Sequence, residues 1–310
     1  MQLQGKAKQF LIAATKVLIV VGAFYFIWSR LQDERSLWEQ ANLGMIPLWA
    51  WIALLALAFL NRFFEILKWK NLISSFKNIS IAESSKQVLG ALTVSIFTPN
   101  GIGEYGAKAL FYEKSRAKTI VFLNLVCNGI QLVLSVIFGI FGLLYFNAVY
   151  EVLNTKTVGA LFLIFLAGAL VLFFLRKITV RGFSFARITA KINSLSFRIH
   201  RRNTFLAICR YLFFSHQYYL LFVVFGVELP YWLLMAAITS TYFLSSALPT
   251  FQFLDFAVKG GVAVYFFGLM GVNEWIPVLV TALMWLLNVV LPVAIGSYYV
   301  ITFKSRWKQS

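Results

Sequence analysis

Pro99-Asn100-Gly101-Ile102-Gly103-Glu104-Tyr105-Gly106-Ala107-Lys108 interrupts a long apolar stretch, and Pro249-Thr250-Phe251-Gln252-Phe253-Leu254-Asp255-Phe256-Ala257-Val258-Lys259 interrupts another in the same way. Each segment has a proline, then an acid, an aromatic, a small residue, any residue and a lysine. A charged group at the centre of a membrane helix costs about 2.5 to 3.5 kcal/mol. Two acid–lysine pairs at one spacing in such surroundings therefore call for a reason. A polar site shared by two halves of a membrane protein supplies one.

The solvent follows from composition. Of 310 residues, 60% are hydrophobic and only 13% charged, and the mean hydropathy is +0.79. Soluble domains carry about 25% charged residues. Apolar runs recur from Phe10 to Ile301, which leaves no separate aqueous domain of ordinary size. The expectation is one membrane domain over 1–310.

The formal net charge is +17, a value that nucleic-acid-binding proteins also reach. Here the basic residues fall in loops between apolar spans, where the positive-inside rule and anionic lipids place them. Cys127 and Cys209 have no C-x-x-C spacing and no clustered histidines, so neither a disulfide framework nor a metal site is expected. Lys6 and Lys8 precede an apolar run to about Trp28 that is longer than a signal-peptide core and lacks a small-residue cleavage site after it. A retained first helix, inserted with its N-terminus inward, is expected.

Six segments have the roughly 20 apolar residues that a spanning helix needs: about 10–29, 47–67, 119–146, 158–175, 204–225 and 276–301. Two more, about 82–112 and 231–270, are broken by Pro99 with Gly101 and Gly103, and by Pro249. Proline removes a backbone donor and disfavours helix at the residue before it, so each should be a helical hairpin, re-entrant or fully spanning.

Loop charges set the orientation. One side collects Lys6 and Lys8; Arg62, Lys68, Lys70, Lys77 and Lys86; Lys114, Arg116 and Lys118; eight Lys/Arg from Arg176 to Arg202; and Lys304, Arg306 and Lys308. The other holds Arg30, Arg35 and Lys156 against Asp33, Glu34, Glu39, Glu151, Glu228 and Glu274. Both termini should be cytoplasmic. The unit 47–146 then starts outside and the unit 204–301 inside, which makes them an inverted repeat. Gln131-Leu-Val-Leu-Ser-Val-Ile-Phe-Gly139 parallels Asn288-Val-Val-Leu-Pro-Val-Ala-Ile-Gly296, and Arg62 parallels Arg210. Such repeats, with broken helices at their interface, place the sites of many secondary transporters near the midplane. Between the units, in 176–202, Ile188, Ile192, Leu195 and Ile199 recur at helical spacing beside basic residues, the pattern of an amphipathic helix on the inner leaflet or of a solvated basic linker.

An acid and a lysine four residues apart share a helix face and can pair. On one reading, Glu104 with Lys108 and Asp255 with Lys259 neutralise themselves at helix starts. On the other they form a site: backbone N–H groups freed at the break favour phosphate or carboxylate, Gly101 and Gly103 admit a ligand to the backbone, the lysines meet a lipid phosphate, and the acids accept an ammonium or a proton. An amphiphile fits, because its tails stay in lipid while its head crosses a polar groove. The glycines make the first copy the stronger candidate for ligand contact. Arg62 and Arg210 either join this site or snorkel as span-end anchors. Asn124, Asn128 and Gln131 share a face, lining the groove or joining helices by hydrogen bonds.

Arg62 with Trp69, followed by Thr98-Pro99-Asn100-Gly101-Ile102-Gly103-Glu104-Tyr105-Gly106, resembles the lysylphosphatidylglycerol synthase transmembrane region, the flippase-like integral membrane family. The proline, glycines and Glu104 look like that family's P-x-x-x-G-E element. Pro249 and Asp255 resemble its later proline and acid, with Phe251 and Phe253 in place of glycines and aspartate in place of glutamate. The likeness runs from about residue 10 to 301 and implies a lipid-flippase type of membrane protein. The aminoacyl-transfer domain that follows in the synthases is not expected here, so neither is lysylation.

The expectation is thus an all-α polytopic protein of the bacterial plasma (inner) membrane, handling an anionic or zwitterionic lipid, with substrate-binding residues Glu104, Lys108, Asp255, Lys259, Gly101, Gly103, Pro99, Pro249, Arg62 and Arg210. No cofactor, metal or nucleic acid is called for. A membrane-embedded lipid-modifying enzyme and a structural or assembly subunit stand as alternatives.

Overall fold

The computed structural model describes residues 46–154, 179–180, 183–248 and 255–303, with Val21 and a few positions between Lys156 and Leu163. The described part is helical apart from a two-residue antiparallel pair, β1 (Thr179–Val180) with β2 (Phe183–Ser184). The helices are α1 (Leu48–Ile73), α2 (Ile81–Ser95), α3 (Gly103–Ala109), α4 (Ala117–Tyr150), α5 (Phe185–Asn193), α6 (Phe197–Val224), α7 (Tyr231–Ala247), α8 (Asp255–Leu269), α9 (Trp275–Trp285) and α10 (Leu291–Ile301). A π-helical turn, Leu286–Val290, joins α9 to α10.

Three of these helical stretches are long and apolar enough to cross a membrane: Leu48–Ile73, Lys114–Tyr150 and Trp275–Ile301. Their surfaces show why. On α1, Leu48, Ile52, Leu55 and Phe59 recur at steps of three and four and are all exposed. The opposite face, with Leu54, Ala58, Asn61, Glu65, Lys68, Trp69 and Leu72, is buried. An apolar outside around a partly polar inside is the pattern of a helix in lipid. The 204–225 expectation is only partly met: α6 forms there, but Arg210, His216 and Gln217 leave it short of the apolarity of the other three. The 10–29 and 158–175 expectations fall wholly or largely outside the described residues.

Both broken stretches are broken. The first runs from α2 through Asn100 (φ 48°) and Gly101 (φ 68°), both left-handed, into α3. The seven residues of α3 rise about 10 Å, a third of a bilayer core, so α3 is a stub that cannot cross it. The second runs from α7 to α8, with Pro249 in the interval 249–254 outside the described residues. The polar start of α2 is capped by Ser80, whose Oγ accepts the Glu83 N–H at 3.0 Å.

Helices from the two expected units pack in crossed pairs. α1 lies antiparallel to α6: Gln217 Nε2 donates to the Leu54 carbonyl at 3.0 Å, Arg210 Nε to Asn61 Oδ1 at 3.2 Å, and Asn71 Nδ2 to the Ile199 carbonyl at 2.9 Å. α4 lies antiparallel to α7, with Gly139 against Phe243 and Gly142 against Thr239 and Ala236. α2 lies antiparallel to α10, with Thr93 Oγ1 3.3 Å from the Val293 carbonyl and Gly296 against Leu89. A Cβ at Gly139 or Gly296 would overlap the facing helix, so both glycines set how closely their pairs approach.

The basic stretch 176–202 is not one amphipathic helix. α5 ends at Asn193, and Phe197 begins α6, so Ile199 belongs to the long helix. Leu195 and Ile199 pack against the cluster around Trp69 and Ile120, and the Lys191 ammonium sits 4.5 Å over the Phe122 ring. The apolar positions of this stretch are thus partly turned toward protein.

Candidate functional site: a charged cavity among apolar helices

The buried face of α1 carries Asn61, Arg62, Glu65, Lys68 and Trp69, one row at steps of three and four plus a neighbour. Expecting the helix to end near residue 67, the sequence reading assigns Arg62 and Lys68 to a loop. The helix continues to Ile73, which carries both into the interior; Lys68 is 0% exposed.

Of these, Asn61, Arg62 and Glu65 line a cavity of about 200 Å³ whose wall is built from α1, α2, α3, α4, α6, α7, α8 and the π-helical turn. Arg62, Glu65, Glu104, Arg210, Asp255 and Lys259 supply its charge, and Asn61, Asn128, Gln131, Tyr211, Tyr242 and Asn288 its neutral polar groups. The Glu65 carboxylate is the hub. Arg62 pairs with it from the next turn of α1, and the Arg210 guanidinium reaches it from α6 at 3.5 Å. Arg62 also donates from Nη2 to the Asn288 carbonyl at 2.5 Å. That carbonyl lacks the donor an ordinary helix would provide four residues on, because residue 292 is proline. The unwound turn thus presents a backbone acceptor to the cavity, and the arginine fills it.

The two acid–lysine pairs are placed differently. Asp255 and Lys259 both line the cavity, 25% and 17% exposed, with Nζ 2.5 Å from Oδ2. The Lys259 ammonium also lies 5.2 Å from the Tyr242 ring centroid. In the first pair only Glu104 reaches the wall. Lys108 is 0% exposed and sits behind it, paired with Glu104, donating to Asn124 Oδ1 at 2.7 Å and stacked 4.3 Å over Trp69. Trp69 Nε1 donates to Gln87 Oε1 at 2.7 Å, and the Tyr112 hydroxyl donates to the same oxygen at 2.9 Å. This buried network reverses the order read from the glycines: the second pair, not the first, offers both members to a ligand.

The glycines and prolines have other work. Pro99, Gly101 and Gly103 are not on the cavity wall. Gly101 provides the left-handed turn, and a Cβ on Gly103 would lie 2.8 Å from the Thr98 side chain. Backbone N–H groups expected to be free for an anion are satisfied locally: Gly103 donates to Thr98 Oγ1 at 2.9 Å and Glu104 to the Gly101 carbonyl at 3.0 Å. Pro249 lies outside the described residues. Arg62 and Arg210 both line the cavity, each from within a long helix, α1 and α6.

No protein-family model, curated protein or solved structure matches the chain.

Glu65, Lys68, Asn61, Gln87 and Asn288 were not picked out as site residues from sequence. Arg62-x-x-Glu65-x-x-Lys68 was the available signal: three charges on one helix face beside a membrane-length apolar run. A second, larger cleft of about 600 Å³ opens between the start of α2 and the end of α10, with Glu83 and Lys86 as its charged lining. Its Glu83 carboxylate is 37% exposed and shares no network with the buried charges, so the smaller cavity is the candidate site.

Proposed function

We propose that the protein binds an amphiphile with a charged headgroup in this cavity and carries the headgroup between membrane leaflets. One observation carries the reading: six charged side chains from four helices converge on a single cavity inside helices whose outer faces are apolar. About 200 Å³ accommodates a headgroup and not a whole lipid, whose chains would stay in the bilayer.

Several observations support an inverted repeat as the frame of this movement. The corresponding helices α1 and α6 run antiparallel. The remaining contacts are reciprocal, since α4 of the first unit packs on α7 of the second while α2 of the first packs on α10, at the end of the second. Gly139 and Gly296, matched in the sequence repeat, occupy these two reciprocal crossings. The finer reading is a protein of about six spans and two broken hairpins with both termini cytoplasmic, set in a bacterial plasma membrane by its loop charges. The proline, glycines and Glu104 that resemble the lysylphosphatidylglycerol synthase membrane region favour the same function.

Reconstitution tests it. Liposomes carrying labelled phospholipid and the wild-type chain are expected to exchange lipid between leaflets, and Lys259→Gln to slow exchange at least about tenfold while keeping its helical circular dichroism. Equal exchange by empty liposomes and by wild type would reject transport. Appearance of a new lipid species by mass spectrometry would instead favour a membrane-embedded enzyme.

A further inference from the structure

The polar atoms around the cavity are unequally committed. A lysine ammonium can only donate, so each amide facing one must present its oxygen. Lys108 takes the Asn124 oxygen, and Lys68 takes that of Gln131 at 3.2 Å together with the Cys127 carbonyl at 3.0 Å. Arg210 takes the Asn61 oxygen, and Asn61 Nδ2 takes that of Asn288 at 2.7 Å. These four amide oxygens are thus spent on the protein's own donors. Among the described residues around the cavity, the donors Arg62 Nε, Asn124 Nδ2 and the Tyr211 hydroxyl are buried without a hydrogen-bond partner, while the one such acceptor there, Glu104 Oε1, is ion-paired with Lys108. Tyr211 is 3% exposed and stands on the cavity wall.

The charge balance leans the same way. Arg62, Lys68, Lys108, Arg210 and Lys259 face three carboxylates, Glu65, Glu104 and Asp255. Each carboxylate has a cation beside it, and Lys68 is fully buried with no carboxylate within salt-bridge distance among the described residues. An excess of two positive charges and a set of unused donors in a low-dielectric interior is complementary to an anion rich in acceptor oxygens.

We infer that the cavity binds a phosphate group, with Arg62, Arg210 and Tyr211 contacting its oxygens and Lys68, held on Gln131, supplying the unbalanced charge from behind. This rests on the amphiphile reading for its lipid source, although inorganic phosphate presents the same chemistry. The carboxylate of Glu65 occupies the two arginines when no ligand is bound, and a phosphate oxygen competes with it for them.

Equilibrium binding to the full-length chain in detergent would decide the question, using four probes: dihexanoylphosphatidylglycerol, inorganic phosphate, dihexanoylglycerol, and a quaternary-ammonium amphiphile of equal chain length. The expected result is that phosphatidylglycerol binds at least about tenfold tighter than either phosphate-free amphiphile. Lys68→Gln should lose most of that preference. Tyr211→Phe, which keeps the ring and so the packing, should lose about threefold. Tighter binding of the cationic or neutral amphiphile overturns the phosphate inference and leaves leaflet exchange standing. So does phosphate-probe affinity that is unchanged in both variants. Saturable inorganic phosphate binding without phosphatidylglycerol binding supports the phosphate site but removes the lipid function.

Discussion

Glu104 with Lys108 and Asp255 with Lys259 have the same chemistry and the same spacing, yet one pair is sealed and the other opens onto the cavity. Lys108 is held by a carboxylate, an amide oxygen and an indole face, and Trp69, Gln87 and Tyr112 extend that network to α2. Among the described residues Lys259 has Asp255 and, at longer range, the rings of Phe214 and Tyr242 beneath its ammonium. Removing one partner of a fully buried ion pair strands a charge that protein alone must solvate and is strongly destabilising, whereas a pair left half-open keeps capacity for a ligand. The first pair is therefore a structural joint with one face on the site, and the second is the more available contact.

Breaking each pair should separate these roles. The largest effect is expected from Lys108→Met, which strands Glu104 and should cost about 3 to 5 kcal/mol, read as a lowered unfolding midpoint in detergent. Adding Glu104→Gln should recover a large part of that loss, because removing both partners leaves no unpaired charge. Equal midpoints for wild type and Lys108→Met would refute the structural assignment. Next, Gly139→Ala and Gly296→Ala should each cost about 1 to 3 kcal/mol by forcing apart α4 from α7 and α2 from α10. Similar losses sharpen the reciprocity of the two crossings, whereas a loss at only one would break it. The smallest stability change, about 1 kcal/mol or less, is expected for Lys259→Met, since its partly exposed pair has water as an alternative partner. That variant should nonetheless slow leaflet exchange as much as Lys259→Gln does. A stability loss matching that of Lys108→Met would erase the distinction between the pairs.

Glu65 shows why part of the site was not legible. Its neighbours Arg62 and Lys68 read as loop charges when the apolar run alone defines the span, and buried polar residues at the end of a run shorten that run on any hydropathy count. The helix continues because its polar face is solvated by other helices: Arg210 comes from α6, Asn288 from the π-helical turn and Gln131 from α4. The glycines misled for a related reason. Gly103 looks like an opening for a ligand, but Thr98 folds back into the space it leaves. The break at Pro99, by contrast, was readable directly, because a missing N–H acts locally whatever surrounds it.

By itself the sequence determined the solvent, the helical class, the two breaks and the pairing of acids with lysines four residues on, since apolar content and i, i+4 geometry depend on nothing distant. Only the tertiary structure decided that Arg62, Glu65, Arg210 and both broken segments meet in one cavity, that Lys108 is locked away while Lys259 is not, and that the oxygens of Asn61, Asn124, Gln131 and Asn288 are spent. Helical periodicity fixes which residues share a face. Which way that face turns, and which charge from another helix meets it, depends on packing between segments more than 100 residues apart, such as α1 with α6 and the π-helical turn.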